Sequence, residues 1–143
     1  MKGWLLDTNI VSELRKTSCH PNVKLWTERQ LPQSLYLSTV TLAEIRFGLE
    51  QLDDLSFREE LSQWLDGTLR PWFTDRLLPI DEDVILIWRQ RVEQGRKRGY
   101  TFSQPDLFIA ATAIKHNLCV VTRNTTDFQE AQVPALNPFE GNP

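Results

Sequence analysis

The stretch WLLDTN, residues 4–9, passes from three apolar residues directly to the acidic Asp7. Such a short apolar run predicts a buried strand that turns into a helix. Three other apolar runs meet polar or acidic residues in a similar setting: VTLAE ends at Glu44, PDLFIAATA leads off from Asp106, and CVVTRNTTD leads to Asn124 and Asp127. Acidic residues at strand ends and helix starts of an alternating chain converge in space, so we expect these side chains to form one group.

The order of the predicted elements indicates the fold class. Strand-like runs lie at 4–6, 35–38, 77–80 and 118–122, and segments with helical spacing separate them. This alternation predicts a three-layer α/β/α sandwich with a short, mainly parallel central sheet. Right-handed crossovers bring the carboxyl ends of the strands to one edge, where open α/β sheets bind their ligands.

Several residues predict where elements begin or end. Thr8 is expected to cap the first helix and Asp81 a later one, because both side chains can accept a backbone N–H. Asn117 predicts a left-handed helix C-cap. Pro79 places the third strand at a sheet edge or at its own end.

The composition is that of an ordinary globular protein. Its 143 residues are 41% hydrophobic and 24% charged, which predicts a single domain over residues 1–143. The sequence predicts no signal peptide and no membrane span, so we expect a cytoplasmic protein without membrane contact. Neither the two cysteines nor the two histidines have metal-ligand spacing, which argues against a zinc site.

Each acidic residue also has a purely structural interpretation. Thr41 and Glu44 have the spacing of a capping box, and Ser103 and Asp106 share that form. As a group, however, carboxylates without a basic neighbour repel one another unless a cation is present. Oxygen ligands without histidine or cysteine suit Mg²⁺, and also Mn²⁺.

A run of basic residues follows later in the chain, opposed only by Glu93. Its members are Arg89, Arg91, Arg96, Lys97 and Arg98. One interpretation is a solvated helix face, which is the usual meaning of a charge run. The other is a stripe that contacts RNA phosphates beside an acidic centre. The run by itself favours the solvated face.

Five segments together resemble one known family. LLDTNIVSEL, YLSTVTLAEIRFGL, LPID, PDLFIAATA and VVTRNTTDF occur in the order and spacing of PIN-domain proteins. The resemblance covers nearly the full length and is to VapC-type toxins of type II toxin–antitoxin pairs, in the FitB-like branch. Each motif alone is weak, and only their combination is specific.

The resemblance implies a Mg²⁺-dependent endoribonuclease that a cognate antitoxin holds inactive and that forms homodimers. It implies Asp7 and Asp106 as the principal metal ligands. Glu44 would be a further ligand or would orient the attacking water. Thr8 and Asn9 would support Asp7 through hydroxyl and amide hydrogen bonds. The apolar residues near positions 64 and 72 offer a surface for the antitoxin or a second subunit, although such aromatics belong to the core by default.

The fourth corner of the implied site departs from the family pattern. Thr122 and Asn124 would occupy it, but many relatives carry an aspartate where this chain has Asn124. Asp127 either fills this corner or caps the next turn, and with three secure carboxylates a second metal ion is not expected. A second hypothesis follows, in which the chain is a catalytically impaired PIN module that binds an antitoxin or RNA.

Two other classes with acidic residues at strand ends fit less well. A phosphoacceptor receiver domain needs an adjacent acidic pair after its first strand and a lysine after a late strand, whereas this chain has Asp7 alone and Arg123. A dehalogenase-type phosphatase needs an aspartate where Asn9 stands.

Overall fold

A computed structural model describes residues 2–141 of the chain. Its strands are β1 (Gly3–Leu6), β2 (Leu35–Ser38), β3 (Leu77–Leu78), β4 (Leu118–Val121) and β5 (Ala135–Leu136). They form one parallel sheet in the order β3-β2-β1-β4-β5. The central strand β1 pairs with both β2 and β4, so the residues that follow these three strands meet at one edge.

Helices connect the strands throughout the described part of the chain. They are α1 (Thr8–Arg15), α2 (Pro21–Glu28), α3 (Thr39–Glu50), α4 (Leu55–Trp64), α5 (Arg70–Trp72), α6 (Glu82–Lys97), α7 (Gln104–His116) and α8 (Thr125–Glu130). A π-helical turn over Leu65–Leu69 joins α4 to α5. Within residues 2–141, no helix is both long enough and apolar enough to cross a membrane.

Apolar side chains fill both faces of the sheet. Leu5 and Leu6 of β1 point to opposite faces, because side chains alternate along a strand. Leu6 packs with residues of α1, α2, α3 and the π-helical turn, whereas Leu5 packs with residues of α7 and α8. The predicted three-layer α/β/α sandwich with a parallel sheet is therefore confirmed.

Two helix starts differ from the prediction. Asp7, not Thr8, caps α1: its carboxylate accepts the Thr8 N–H at 2.8 Å, and Thr8 is the first helical residue. The helix α3 begins before Thr41, because the Ser38 hydroxyl accepts the Val40 N–H at 3.0 Å and serves as its cap.

Neither predicted capping box forms. Thr41 and Glu44 both lie inside α3, beyond the residue that caps it, so neither stands at the position that the motif requires. Ser103 does stand at the N-cap of α7, but its side chain makes no capping hydrogen bond. The structural interpretation of Glu44 and Asp106 as capping-box acids is therefore wrong.

The remaining boundary predictions are mostly correct. Asp81 caps α6 by accepting the Val84 N–H at 3.0 Å, and Asn117 ends α7 in the left-handed conformation with φ of 56°. The third strand is shorter than predicted, with only Leu77–Leu78 paired, and it lies at the sheet edge as its proline indicates. The opposite edge strand, β5, was not predicted, because two residues carry no readable alternation.

Candidate active site

The acidic residues reach one edge of the sheet from four different elements. Asp7 directly follows β1, and its backbone N–H donates to the Val121 carbonyl of β4 at 2.9 Å. Glu44 lies in α3, which follows β2, and Asp106 lies in the first turn of α7. Asp127 lies in the first turn of α8, which follows β4. The alternation of strands and helices thus produces the predicted convergence.

Asp7 is the most enclosed of these acids, with only 3% of its surface exposed. Its Oδ2 accepts hydrogen bonds from the Thr122 hydroxyl at 2.8 Å and the Asn9 amide at 3.2 Å. Its Oδ1 accepts only the Thr8 N–H at 2.8 Å. Burial raises the pKa of Asp7 above its usual value, and these hydrogen bonds offset part of the rise.

Asn9 and Thr122 connect Asp7 to the loop after β4. The Asn9 amide nitrogen also lies 3.4 Å from the Thr122 hydroxyl, and its carbonyl oxygen accepts the Arg123 N–H at 3.1 Å. The fully buried Thr122 hydroxyl accepts the Asn124 N–H at 3.0 Å while it donates to Asp7. The contacts expected of Asn9 with Asp7, and of Thr122 with the fourth corner, are therefore present.

Thr8 supports a different acid from the one expected. Its hydroxyl donates to Glu44 Oε1 at 2.8 Å and lies 3.3 Å from the Thr41 hydroxyl. Only its backbone N–H reaches Asp7, so the predicted hydroxyl bond to Asp7 is wrong. The reason is geometric: Thr8 begins α1 with its side chain turned toward α3, where the fully buried Thr41 also lies.

Asp106 experiences the charge of the whole group. Burial and then the negative charges of Asp7, Asp127 and Glu44 raise the pKa of Asp106 to about 6. Among the ion pairs of residues 2–141, none involves any of these four carboxylates. In the described part of the chain, the group is thus an excess of negative charge with no cationic side chain in ion-pair contact.

Asp127 and Asn124, the two residues predicted for the fourth corner, have different surroundings. Asn124 stands at the N-cap position of α8, is exposed, and makes no capping hydrogen bond with its side chain. Asp127 accepts a hydrogen bond from the Tyr100 hydroxyl and acts electrostatically on Asp106. The sequence carried no signal for Tyr100, which approaches from the segment between α6 and α7.

The four carboxylates only partly fit a preformed metal site. Within residues 2–141, no three carboxylate, imidazole or thiol side chains are placed so that they could hold one metal ion together. Asp7, Asp106 and Glu44 are therefore not assembled as a joint set of three direct ligands. Mg²⁺ nevertheless requires no such set, because it keeps several waters and binds through one or two carboxylates. The uncompensated charge and the all-oxygen chemistry fit such an ion.

The basic run lies on α6 and the turn that follows it, and several of its members bind neighbouring side chains. Arg96 pairs with Glu93 at 2.8 Å, and Arg98 pairs with Glu130 of α8 at 2.5 Å. Arg91 donates to two glutamine side chains, at 3.1 and 3.3 Å. These contacts favour the solvated face over the phosphate stripe, and a role of Arg89 or Lys97 in RNA binding stays a prediction.

An apolar groove begins beside the acidic group. Thr8 and Glu44 line it together with the apolar side chains of Phe57, Leu61 and Trp64. Trp64 also lines a neighbouring cavity together with Trp72 and Phe73, and Arg15 lines both. Trp72 is 44% exposed, so the predicted apolar surface near positions 64 and 72 exists, and part of it lies outside the core.

The fold and the site define a class: α/β proteins with a parallel sheet whose carboxyl edge carries a group of unpaired carboxylates. The PIN domain family model matches residues 4–133. The chain therefore belongs to the PIN domain family.

Individual relatives are similar over nearly their whole length. The chain is 36% identical to VapC ribonuclease Y4jK of Sinorhizobium fredii, with 95% of this chain and 97% of that protein covered. It is also 36% identical to Toxin FitB of Neisseria gonorrhoeae, covering 94% and 97%. The crystal structure of FitAcB from Neisseria gonorrhoeae superposes with a TM-score of 0.90 at 35% identity, covering 95% of this chain and 98% of that one.

Proposed function

We propose that this protein is a Mg²⁺-dependent endoribonuclease and the toxin of a type II toxin–antitoxin pair. The observation that carries the proposal is the group of unpaired carboxylates at the sheet edge of a PIN chain. The similarity to a protein named VapC ribonuclease and to one named Toxin FitB supports both the reaction and the biological role.

Asp7 and Asp106 are the residues best placed to hold the ion. Both lone pairs of Asp7 Oδ2 are used by Thr122 and Asn9, whereas Oδ1 accepts one hydrogen bond and keeps a free lone pair. No hydrogen bond to the Asp106 carboxylate occurs among the described residues, so its oxygens are free. When bound, the ion would supply the chemistry of ionising a water and of stabilising charge on a phosphoryl group.

Glu44 is suited to orient the attacking water. The Thr8 hydroxyl holds one of its oxygens, Oε1, which fixes the carboxylate and leaves Oε2 free to accept from a water. Burial and the neighbouring carboxylates raise the pKa of Asp106, so its charged form needs compensation, which a bound cation would provide.

A cognate antitoxin and a second copy of the chain complete the proposal. Solved structures with similar folds include FitAB bound to a DNA fragment, at 34% identity and a TM-score of 0.88. The groove that runs from Glu44 to Trp64 offers an apolar surface directly beside the acids, so an antitoxin segment lying there would cover the site. Light scattering of the purified chain tests the homodimer, for which we expect twice the mass of 16.7 kDa.

A binding module without activity is the second candidate. It is favoured by Asn124, at a position where the family pattern leads us to expect an aspartate in many members, and by the absence, within residues 2–141, of a preformed set of three ligands. Such a module would bind RNA or an antitoxin but would show neither metal-dependent cleavage nor metal-dependent heat.

Cleavage of structured RNA by the purified chain separates the two candidates. We expect cleavage with Mg²⁺, none with a chelator, and none with Asp106→Asn. A water that attacks the phosphorus produces no 2′,3′-cyclic phosphate, so the chemistry of the new RNA ends excludes a contaminating ribonuclease that uses the 2′-hydroxyl. Cleavage by Asp106→Asn at the wild-type rate would overturn the proposal.

A further inference from the structure

Tyr100 reaches the acidic group from outside the elements that carry it. It lies in the segment between α6 and α7, and its hydroxyl donates a hydrogen bond to Asp127 Oδ1. Asp127 lies in the first turn of α8, and α8 packs against α7, which carries Asp106 in its own first turn. The contact joins residues 27 positions apart and is the one hydrogen bond to the Asp127 carboxylate among the described residues.

The segment that carries Tyr100 folds tightly back onto α6. The Tyr100 N–H donates to the Gly95 carbonyl at 2.8 Å, and Gly99 turns the chain with a φ of 73°. A side chain at Gly95 would meet the Phe102 ring at 2.7 Å and the Tyr100 carbonyl at 2.8 Å, so only glycine permits this approach. Phe102 then packs edge-on against the Tyr100 ring, with centroids 4.7 Å apart. The position of the hydroxyl is therefore fixed by backbone and ring contacts.

A second contact fastens the same segment to the other end of α8. The Arg98 guanidinium donates to the Glu130 side chain and to the Glu130 carbonyl, both at 2.5 Å. It also lies over the Tyr100 ring, 5.3 Å from the centroid. The short helix α8 is thus held at its first turn through Asp127 and at its last turn through Glu130. These contacts restrict rotation of α8 about its own axis.

The orientation of Asp127 matters because this carboxylate has two possible directions. Without the Tyr100 hydroxyl, the Asp127 carboxylate would turn toward the unpaired backbone N–H groups in the first turn of α8, as acidic side chains at such positions do. The Tyr100 hydroxyl occupies one carboxylate oxygen and competes with that arrangement. A hydrogen bond from a neutral donor also leaves the charge of Asp127 intact, whereas a lysine or arginine at this place would neutralise it.

We infer that Tyr100 is a positioning residue of the candidate active site: its hydroxyl holds the Asp127 carboxylate toward Asp106, so that Asp127 serves as the fourth acid in place of Asn124. This inference rests on the proposed function and adds to it a residue outside the acidic motifs. Tyr100 acts through Asp127 and touches neither RNA nor metal.

Manganese binding tests the inference without reference to cleavage. The variants are Tyr100→Phe, which keeps the ring and removes the hydroxyl, and Asp127→Asn. We expect Tyr100→Phe to weaken Mn²⁺ binding, measured by calorimetry, by roughly tenfold, which is typical when a hydrogen bond that orients the surroundings of a metal site is lost. Tyr36→Phe is the matched control, because Tyr36 is the other tyrosine of the chain and lies on β2; it should bind Mn²⁺ like the wild type.

The double variant separates positioning from general stabilisation. If Tyr100 acts through Asp127, then Tyr100→Phe in the Asp127→Asn background produces no further loss of Mn²⁺ binding. A further tenfold loss there, or wild-type binding by Tyr100→Phe alone, would overturn the inference. Melting temperatures of all variants are measured alongside, since a merely structural role would lower the melting temperature and leave the Mn²⁺ affinity unchanged.

If the wild type neither binds Mn²⁺ nor cleaves RNA, crystal structures of the wild type and of Tyr100→Phe test the role of Tyr100 instead. That result would refute the proposed function but not the geometry. The inference then stands if the Asp127 carboxylate faces Asp106 in the wild type and turns away in the variant. It fails if the carboxylate keeps its direction without the Tyr100 hydroxyl.

Discussion

Two charged regions of this chain have opposite surroundings. The carboxylates of Asp7, Glu44 and Asp106 are held by threonine and asparagine groups or by no hydrogen bond, and within residues 2–141 none forms an ion pair. The basic run on α6 is exposed, and its Arg96 and Arg98 pair with nearby glutamates.

The contrast separates charges that stabilise the fold from charges that are available for chemistry. Neutral donors orient the carboxylates of Asp7 and Glu44 and leave their charges uncompensated. Burial and these neighbouring charges in turn raise the pKa of Asp106. Paired surface charges on a helix contribute little to stability and have little attraction left for a ligand. An unpaired charge is thus a better indicator of a functional site than a paired one, although the acidic residues and the basic run are equally visible in the sequence.

Replacing the most enclosed acid has the largest expected effect. Asp7→Asn removes the charge but keeps the cap of α1, because asparagine caps helices as well as aspartate does. We expect RNA cleavage to fall on the order of a thousandfold. The new amide NH2 faces the donors of Thr122 and Asn9, so we also expect a loss of stability of about 1–3 kcal/mol with the fold retained. Cleavage rates and urea unfolding are compared with those of Asp75→Asn, an exposed acid on the turn before β3, which should behave like the wild type. Residual activity within tenfold of the wild type would remove Asp7 from the site.

The second-largest effect is expected when a neutral hydrogen-bond donor to one of the acids is removed. Thr122→Val removes the hydroxyl that donates to Asp7 and accepts the Asn124 N–H. We expect about 1–3 kcal/mol of destabilisation and a cleavage rate lower by roughly tenfold to a hundredfold. Thr112→Val is the matched control, because Thr112 is equally buried but its hydroxyl donates only to the Phe108 carbonyl of its own helix. Equal losses for both variants would mean that the Thr122 hydroxyl has no special relation to the site.

The pH dependence of stability is a smaller and more specific test. The pKa of Asp106 is about 6 in the folded state against 3.8 in the unfolded chain, so the folded state binds more protons between these values. Wild-type stability in a chelator therefore falls as the pH rises from about 4 to about 6, relative to Asp106→Asn. After solvent screening we expect a difference of about 1 kcal/mol at pH 7.

Urea unfolding of both proteins across this pH range measures the effect. Adding Mg²⁺ at pH 7 should stabilise the wild type and leave Asp106→Asn unchanged, because a bound cation favours the ionised carboxylate. Parallel stability curves for the two proteins between pH 4 and 7 would show that Asp106 carries no shifted pKa.

The sequence was sufficient to predict the features of the fold that depend on local patterns of apolar residues. Apolar runs of three to five residues placed β1, β2 and β4, and a longer run located the two-residue β3. The convergence of the acids at the strand ends followed from the parallel order of the sheet. The two-residue strand β5 could not be found, because it is too short to show a period and forms only through pairing with β4.

Two contacts that orient the acids could not be predicted, because they depend on how the elements that carry them pack against one another. Thr8 turns its hydroxyl to Glu44, 36 positions away, and Tyr100 reaches Asp127 from a loop. The capping-box spacing of Thr41 and Glu44 gave a wrong start for α3. Ser38 caps the helix earlier in the chain, and the four-residue motif contains no information about residues that precede it.

The smallest effect is expected in the basic run, where Arg96→Gln should change almost nothing. Arg96 pairs with Glu93 three residues away on the same exposed helix, with 72% of the arginine side chain in solvent. We expect the unfolding midpoint to stay within measurement error and RNA affinity to change by less than about twofold. A phosphate contact would instead reduce the slope of log affinity against log salt by about one. RNA binding measured at several salt concentrations decides between the two, and a shallower slope for Arg96→Gln would assign the basic run to the RNA interface after all.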